Sequence, residues 1–340
     1  MVYGGEGLAR LPDGKAVFLP FVLPGEEVTA TVAQEKSSFA RATADQVVKA
    51  SAHRVEAKCP YFASCGGCHY QHTSYLSQLE IKRAILRETL LRNAKLQWKG
   101  EIKTHSAEPW SYRNRSRMRV HGGKDFAIGY HRVASHDLLA VKNCPISSPA
   151  VNRVVQRLWE LGAGGKVPEG VKEIEFFCDH TDARMVLEIY GVGAPGIREF
   201  AVEAHARCPE IRGIAIFAQS GGGSGLPQLK EAIGNPALLY QVGDTSFRVS
   251  PGSFFQTNRH LVRELAQTVV SDFFGKIALD LYAGVGLFAN HLAKRFEQVF
   301  AVESSPASAA DLRPTPSGTL FRCGQRPSSF CRDASTCSPT

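Results

Sequence analysis

At 340 residues, 44% hydrophobic and 21% charged, the chain is long enough for two or three domains and has an ordinary globular make-up. No apolar run approaches a membrane span and no charged-then-apolar leader opens the chain, so a cytoplasmic monomer with no membrane partner is expected. A formal net charge of +8 with pI near 9.0 points to a polyanionic partner, and nine cysteines, an odd number, count against a complete disulfide framework.

Residues 1–53 read as short strands. Turn signals at Gly4-Gly5-Glu6-Gly7, Pro12-Asp13-Gly14 and Pro24-Gly25-Glu26 punctuate the strand-like runs Ala16–Val22 and Glu27–Val32. So many short strands in one segment suggest a small β-barrel of the OB type, or a solvated hairpin. On a barrel, Lys36, Phe39 and Arg41 are candidates for single-stranded nucleic acid, which such barrels hold on basic and aromatic groups.

Next comes Cys59-Pro-Tyr-Phe-Ala-Ser-Cys65-Gly-Gly-Cys68-His, a C-x5-C-x2-C spacing with two glycines that let the backbone turn tightly. Close thiols in a non-secreted chain argue for a metal or cluster over disulfides. Cys144, followed by Pro145, is the best fourth ligand. Four thiolates, one remote and followed by Pro, suit an iron–sulfur cluster; structural zinc is the rival, although it usually takes two short Cys pairs.

A helix is expected from Tyr75 to about Lys95, with Leu79, Ile85, Leu86, Leu90 and Leu91 as its apolar stripe. Beyond it, Tyr112-Arg113-Asn114-Arg115-Ser116-Arg117-Met118-Arg119-Val120 places four arginines on one face of a strand, about 7 Å apart. Like charges so arranged are poorly explained by folding, and guanidinium forks match phosphate oxygens. Arg113, Arg115, Arg117 and Arg119 are therefore candidate RNA contacts, with a solvated edge strand as the alternative. Strands at Phe126–Val133 and Asp137–Val141 are expected to deliver Cys144. From 147 to 245 helices and strands alternate with little chemistry: a helix at Val151–Leu161, strands at Glu173–Cys178, Met185–Tyr190 and Gly213–Phe217, and a glycine-rich loop at 220–225. Cys178 and Cys208 are expected to be inert.

Ser253-Phe-Phe-Gln256-Thr-Asn258 leads into a helix at about Arg259–Phe273. After it, Lys276-Ile-Ala-Leu-Asp280-Leu-Tyr282-Ala-Gly284-Val-Gly286-Leu-Phe-Ala289 runs strand, glycine turn, helix. The G-x-G-x-x-A pattern lets a nucleotide approach backbone at a helix start, and Glu303, closing the apolar strand Val299–Val302, can accept ribose hydroxyls. Asp280, in a D-x-x-x-G-x-G arrangement, favours S-adenosylmethionine; a nicotinamide or flavin dinucleotide and a structural turn are the alternatives.

Taken together, these motifs resemble the RNA (uracil-5-)-methyltransferase family, in its branch with an N-terminal TRAM barrel and an iron–sulfur cluster that modifies 23S ribosomal RNA. The resemblance covers residues 1 to about 312. It implies a multidomain chain: a TRAM-like OB barrel (1–53), a central α+β iron–sulfur and RNA-binding domain (54–245), and an incomplete Rossmann-like α/β methyltransferase domain (246–312). Cys59, Cys65, Cys68 and Cys144 would hold a 4Fe–4S cluster. Gln256, Tyr282, Gly284, Gly286 and Glu303 would bind S-adenosylmethionine; Leu287 stands where family members often have Asn. The implied substrate is 23S rRNA, with transfer RNA as an alternative, and a non-catalytic iron–sulfur RNA-binding protein is the alternative from another class.

Family chemistry needs more than these motifs. Uracil C5 is a poor nucleophile, so a Cys thiolate adds to C6, C5 attacks the sulfonium methyl, a base removes the C5 proton and the thiolate leaves. The family's Ser-Cys-Asp-Pro nucleophile, its Asp-Pro-Pro-Arg loop and its base Glu have no counterpart in residues 1–340. After Arg313 the chain turns to Ser, Pro, Thr, Arg and Cys without periodicity, where a doubly wound domain would continue for about a hundred residues. An aberrant, disordered tail at 313–340 is expected, with Cys323, Cys331 and Cys337 incidental, an apolar sheet face left uncovered, and no catalysis by this chain.

Overall fold

The computed structural model describes residues 1–191, 195–218 and 227–312, together with the backbone of 319–323. The chain opens with strands β1 (Glu6–Arg10), β2 (Ala16–Pro20), β3 (Glu27–Glu35) and β4 (Phe39–Lys49), then helix α1 (Tyr75–Ala94). It continues through β5 (Arg115–His121), β6 (Ala127–His131), β7 (Leu138–Ala140), α2 (Pro149–Ala163), β8 (Val171–Cys178) and β9 (Met185–Gly191). After α3 (Ile197–Arg207) come β10 (Ile211–Ala218), β11 (Gln228–Gly234), β12 (Leu238–Val242) and β13 (Thr245–Val249). The last elements are α4 (Val262–Val270), β14 (Gly275–Leu281), α5 (Leu287–Leu292), β15 (Phe296–Val302), α6 (Pro306–Asp311) and β16 (Thr319–Cys323).

Two compact units result: Met1–His105 with Tyr130–Val141, and Ser106–Gly129 with Lys142–Thr340. The boundaries expected after residues 53 and 245 therefore fall inside units, and packing gives the reason. In the first unit Arg54 ties the segment after β4 back to the sheet, donating to the Glu26 carboxylate at 2.5 Å and to the Phe21 carbonyl at 2.9 Å. In the second, one apolar cluster joins Phe177 and Val186 to Leu238, Tyr240, Phe247, Phe255, Val285 and Leu287.

The first unit's sheet has the order β1-β2-β4-β3, with β2 and β4 parallel and the outer pairs antiparallel. Val17, Leu19, Val22, Ala40 and Ala42 fill its core. β1 and β3 end the order, where the sequence suggested a barrel. Ser74 caps α1, its hydroxyl accepting from the Ser77 N–H. The expected stripe on α1 is only half-buried at Leu79, Ile85 and Leu90, while Leu86 and Leu91 are exposed.

In the second unit the order runs β11-β10-β9-β8-β5-β6. Only β9 and β10 are parallel, with α3 as their crossover; every residue of β9 is buried, as a central strand covered on both faces requires. Ser148 caps α2, which buries Val151, Val154, Val155, Leu158 and Leu161. Further on, β14, β15 and β16 form a parallel sheet in that order, the start of a doubly wound arrangement. β16 corrects the expectation of a structureless tail: the backbone of Thr319–Cys323 pairs in parallel with β15, Thr319 beside Gln298, on an otherwise open edge. The rest of that tail, 313–318 and 324–340, and the glycine-rich loop at 220–225 lie outside the described residues. Among the described residues no helix is long and apolar enough to cross a membrane.

Candidate functional site

β14 ends at Leu281, and the chain turns through Tyr282–Gly286 into α5. Tyr282 and Gly284 take left-handed conformations, φ 61° and 59°, and the Tyr282 side chain is 90% exposed. Nothing lies within 4 Å of where a Gly284 Cβ would sit, so its glycine answers to backbone conformation and leaves open approach beside the turn. Gly286, at φ 88°, is confined instead, because a Cβ would meet Leu312 Cδ1 at 2.6 Å and Asn290 Nδ2 at 2.8 Å.

Glu303 holds the turn. One carboxylate oxygen accepts the Gly284 N–H at 2.8 Å, and the other accepts the Ser305 N–H at 2.6 Å. The parallel register that sets Asp280 beside Ala301 and Leu281 beside Val302 brings these residues together. Asp280 is buried, and its Oδ2 has no hydrogen-bond partner. Burial, helped by the nearby Glu303 charge, raises its pKa, while the Ala289 N–H opposes the shift. Asp280 Oδ2 is thus a buried acceptor without a partner, two residues before the turn begins at Tyr282.

Gln256 is half-buried and directly follows Phe255, whose ring shares a core cluster with Val285 of the turn and Leu287 of α5. Leu287, in the position where family members often carry Asn, is thus a buried core residue here. The loop bearing Gln256 is tied from two directions. The Asn114 N–H donates to the Thr257 carbonyl at 3.0 Å, and Arg115 Nη1 donates to the Ser253 carbonyl at 2.5 Å. From α6, the Asp311 carboxylate accepts the Ser250 N–H at 2.6 Å and the Ser250 and Ser253 hydroxyls at 2.7 and 2.9 Å.

The arginine strand is not a bare row of like charges. β8 runs antiparallel beside β5, with Arg117 opposite Glu175 and Arg119 opposite Glu173. Glu175 pairs with both Arg115 and Arg117, and Arg119 reaches Glu173 at 2.7 Å. Arg117 also donates to the Tyr190 hydroxyl at 2.8 Å, and Tyr190 in turn donates to Glu188. Burial pushes the Glu175 pKa up, but the two guanidinium groups more than reverse this and hold it low. The premise that folding leaves these arginines unexplained is thereby corrected: opposite charges across the ladder account for three of the four. Arg113 lies before β5, where it bridges Ser147 and Asn258. The sequence reading missed Glu173, Glu175, Glu188 and Asp311; the Glu-x-Glu spacing of β8, in phase with the arginines, was the available signal.

Cys59, Cys65 and Cys68 are half-buried in the first unit, where the Gly67 N–H points to Cys65 Sγ at 3.4 Å. The Gly66 N–H donates to the His131 carbonyl at 3.0 Å. Cys144 is buried in the second unit, its N–H bound to Asn152 Oδ1 at 2.8 Å. Among the described residues no group of three or more His, Cys, Asp or Glu side chains is gathered so that it could hold a metal ion. Cys178 and Cys208 are fully buried, and burial raises both thiols, Cys208 to about 11.

Residues 3–44 match the TRAM domain family. An uncharacterized RNA methyltransferase of Aquifex aeolicus is 30% identical over 317 residues, 92% of this chain and 72% of that relative. The 23S rRNA (uracil(1939)-C(5))-methyltransferase RlmD of Azoarcus sp. is also 30% identical, over 90% of this chain and 71% of its own length. The Halomonas elongata protein of the same name is 30% identical, and this chain spans 65% of it. Among solved structures, the Pyrococcus abyssi tRNA (uracil-54, C5)-methyltransferase in complex with S-adenosyl-L-homocysteine superposes with a TM-score of 0.68 at 22% identity, covering 90% of this chain and 75% of that one. At that identity the likeness is one of fold.

Proposed function

This chain belongs to the family of RNA uracil-C5-methyltransferases, and we propose that it binds S-adenosylmethionine at the Tyr282–Gly286 turn and ribosomal RNA as its substrate. The observation that carries this reading is the Gly284 N–H held by Glu303 at 2.8 Å, beside the orphaned Asp280 oxygen. When bound, S-adenosylmethionine supplies a sulfonium methyl group. The protein's part is to hold it: Gly284 leaves space beside the backbone, Glu303 offers acceptor lone pairs, and Tyr282 of the turn and Gln256 are the further residues read as contacts. The target is read as 23S rRNA from the Azoarcus and Halomonas relatives, with transfer RNA as the second possibility from the Pyrococcus fold neighbour.

For RNA, Arg117 and Arg119 are the better candidates on β5, because their guanidinium groups remain about half exposed while paired. Arg115 is 11% exposed and is read as structural; Arg113 stays a candidate next to the loop of Gln256.

Residues 1–340 are read as containing the recognition and donor-binding parts of such an enzyme. Cys178 and Cys208 remain protonated and buried, so neither supplies a thiolate. The 4Fe–4S assignment for Cys59, Cys65, Cys68 and Cys144 belongs to the same reading, and the C-x5-C-x2-C spacing supports it. Calorimetry with S-adenosylhomocysteine tests the central claim: saturable one-to-one binding is expected, and no binding by the folded chain overturns it.

A further inference from the structure

The Asp311 carboxylate is 1% exposed and has no catalytic part in the reading above, yet it accepts three hydrogen bonds. It takes the Ser250 N–H, the Ser250 hydroxyl and the Ser253 hydroxyl, and Arg248 Nε lies 3.3 Å away. Ser253 itself is fully buried, so its hydroxyl has no water to turn to. Asp311 ends α6, the short helix that begins just after Glu303 and Ser305, and the Ser305 N–H is itself bound to Glu303. One carboxylate therefore joins two chain segments that the sequence keeps far apart. One is the Ser250–Asn258 loop with Gln256; the other is the end of β15 with Glu303.

We propose that Asp311 is a positioning residue that sets the spacing between the Gln256 loop and the Glu303 turn, and so the fit of the methyl donor. The inference rests on reading that turn as the donor site. Physically, a buried carboxylate with three short hydrogen bonds is a stiff joint, because each donor it releases is left unsatisfied. The opposite side of the loop is fixed independently, by Arg115 at the Ser253 carbonyl and by Glu188, which accepts the Gly252 N–H at 3.0 Å. Loss of Asp311 would leave the loop attached to β5 and β9 but uncoupled from α6 and Glu303. The loop would keep its fold and lose its register to the turn.

The test uses the whole chain, with S-adenosylhomocysteine as the probe in calorimetry and a thermal melt run in parallel. Asp311→Ala is expected to weaken binding about tenfold. Asp311→Asn, whose amide still offers one acceptor to Ser250 and Ser253, is expected to stay within about threefold of the wild type. Val154→Ala, in the α2 core, is expected to lower the melting temperature and leave affinity unchanged. Should Asp311→Ala fail to fold, Ser253→Ala carries the same test, with a loss of about threefold expected. Wild-type affinity in folded Asp311→Ala or Ser253→Ala would overturn the positioning role while leaving the donor site standing. Equal losses in Val154→Ala would overturn it too, since they would mark general instability. Absence of binding in the folded wild type would remove the donor reading and this inference together.

Discussion

Arg117 and Glu175 face each other as direct partners across the β5–β8 ladder, with Arg117 Nε donating to Glu175 Oε2 at 2.5 Å. Glu175 has Arg115 on its other oxygen, so a single buried carboxylate neutralises two members of the arginine row. One strand thus carries a buried ion pair at Arg115 and half-exposed ion pairs at Arg117 and Arg119.

From that division, Glu175→Ala is expected to destabilise the protein by about 3 kcal/mol, because it removes the nearer of the two carboxylates that pair with buried Arg115. Arg119→Ala, which breaks a half-exposed pair, is expected to cost under about 1 kcal/mol. Urea unfolding of the two variants measures both; equal costs would mean that the row is uniformly solvated.

RNA affinity should separate the same residues in the other direction. Arg119→Ala is expected to weaken binding to a ribosomal RNA fragment and to lower the salt slope by about one. Arg115→Ala is expected to shift the unfolding midpoint while the folded fraction binds RNA as before. Filter binding across a salt series decides it, and an unchanged slope in Arg119→Ala would remove β5 from the RNA interface.

At the Tyr282–Gly286 turn, Gly286→Ala is expected to cost about 2 kcal/mol of stability, since φ 88° is unfavourable for a side chain and its Cβ would press on Leu312 and Asn290. Glu303→Ala is expected to reduce S-adenosylhomocysteine affinity at least tenfold, by freeing the Gly284 N–H and removing the acceptor. Calorimetric affinity equal to that of the wild type in Glu303→Ala would sink the assignment of Glu303.

Acid stability of the first unit should depend on Glu26. Burial alone would raise this carboxyl, but hydrogen bonds from Arg54 and from the Leu23 and Ser51 N–H groups bring it from 4.5 down to about 2. A lowered folded-state pKa contributes stability that is complete above the unfolded value and is lost as pH falls from about 4.5 through about 2. Glu26→Gln should therefore lower the melting temperature at pH 7 and flatten its decline below pH 4.5. A wild-type acid profile in that variant would exclude the Glu26–Arg54 pair as the cause.

A fifth expectation concerns solubility. β14 ends its sheet and alternates exposed Ile277, Leu279 and Leu281, at 62%, 60% and 56%, with exposed Phe273 and Phe274 close by in sequence. Leu279→Lys is expected to reduce self-association of residues 1–340 in light scattering without lowering the melting temperature. A loss of stability instead would mean that this face is packed.

Local signals determined much of this protein. Turn residues and period-two runs marked most strands, and D-x-x-x-G-x-G followed by Glu303 marked the strand–turn–helix at Tyr282–Gly286, because those features depend on neighbours in the chain. What tertiary structure alone decided was partnership. Glu175 neutralises arginines that are distant in sequence, Asp311 secures a loop some sixty residues earlier, and a shared core erases the boundary expected at 245. The tail strand β16 belongs here as well, since an open edge on β15 recruited residues whose own pattern is weak. Burial and cross-strand register assign charge partners, and neither is written in any single stretch of sequence.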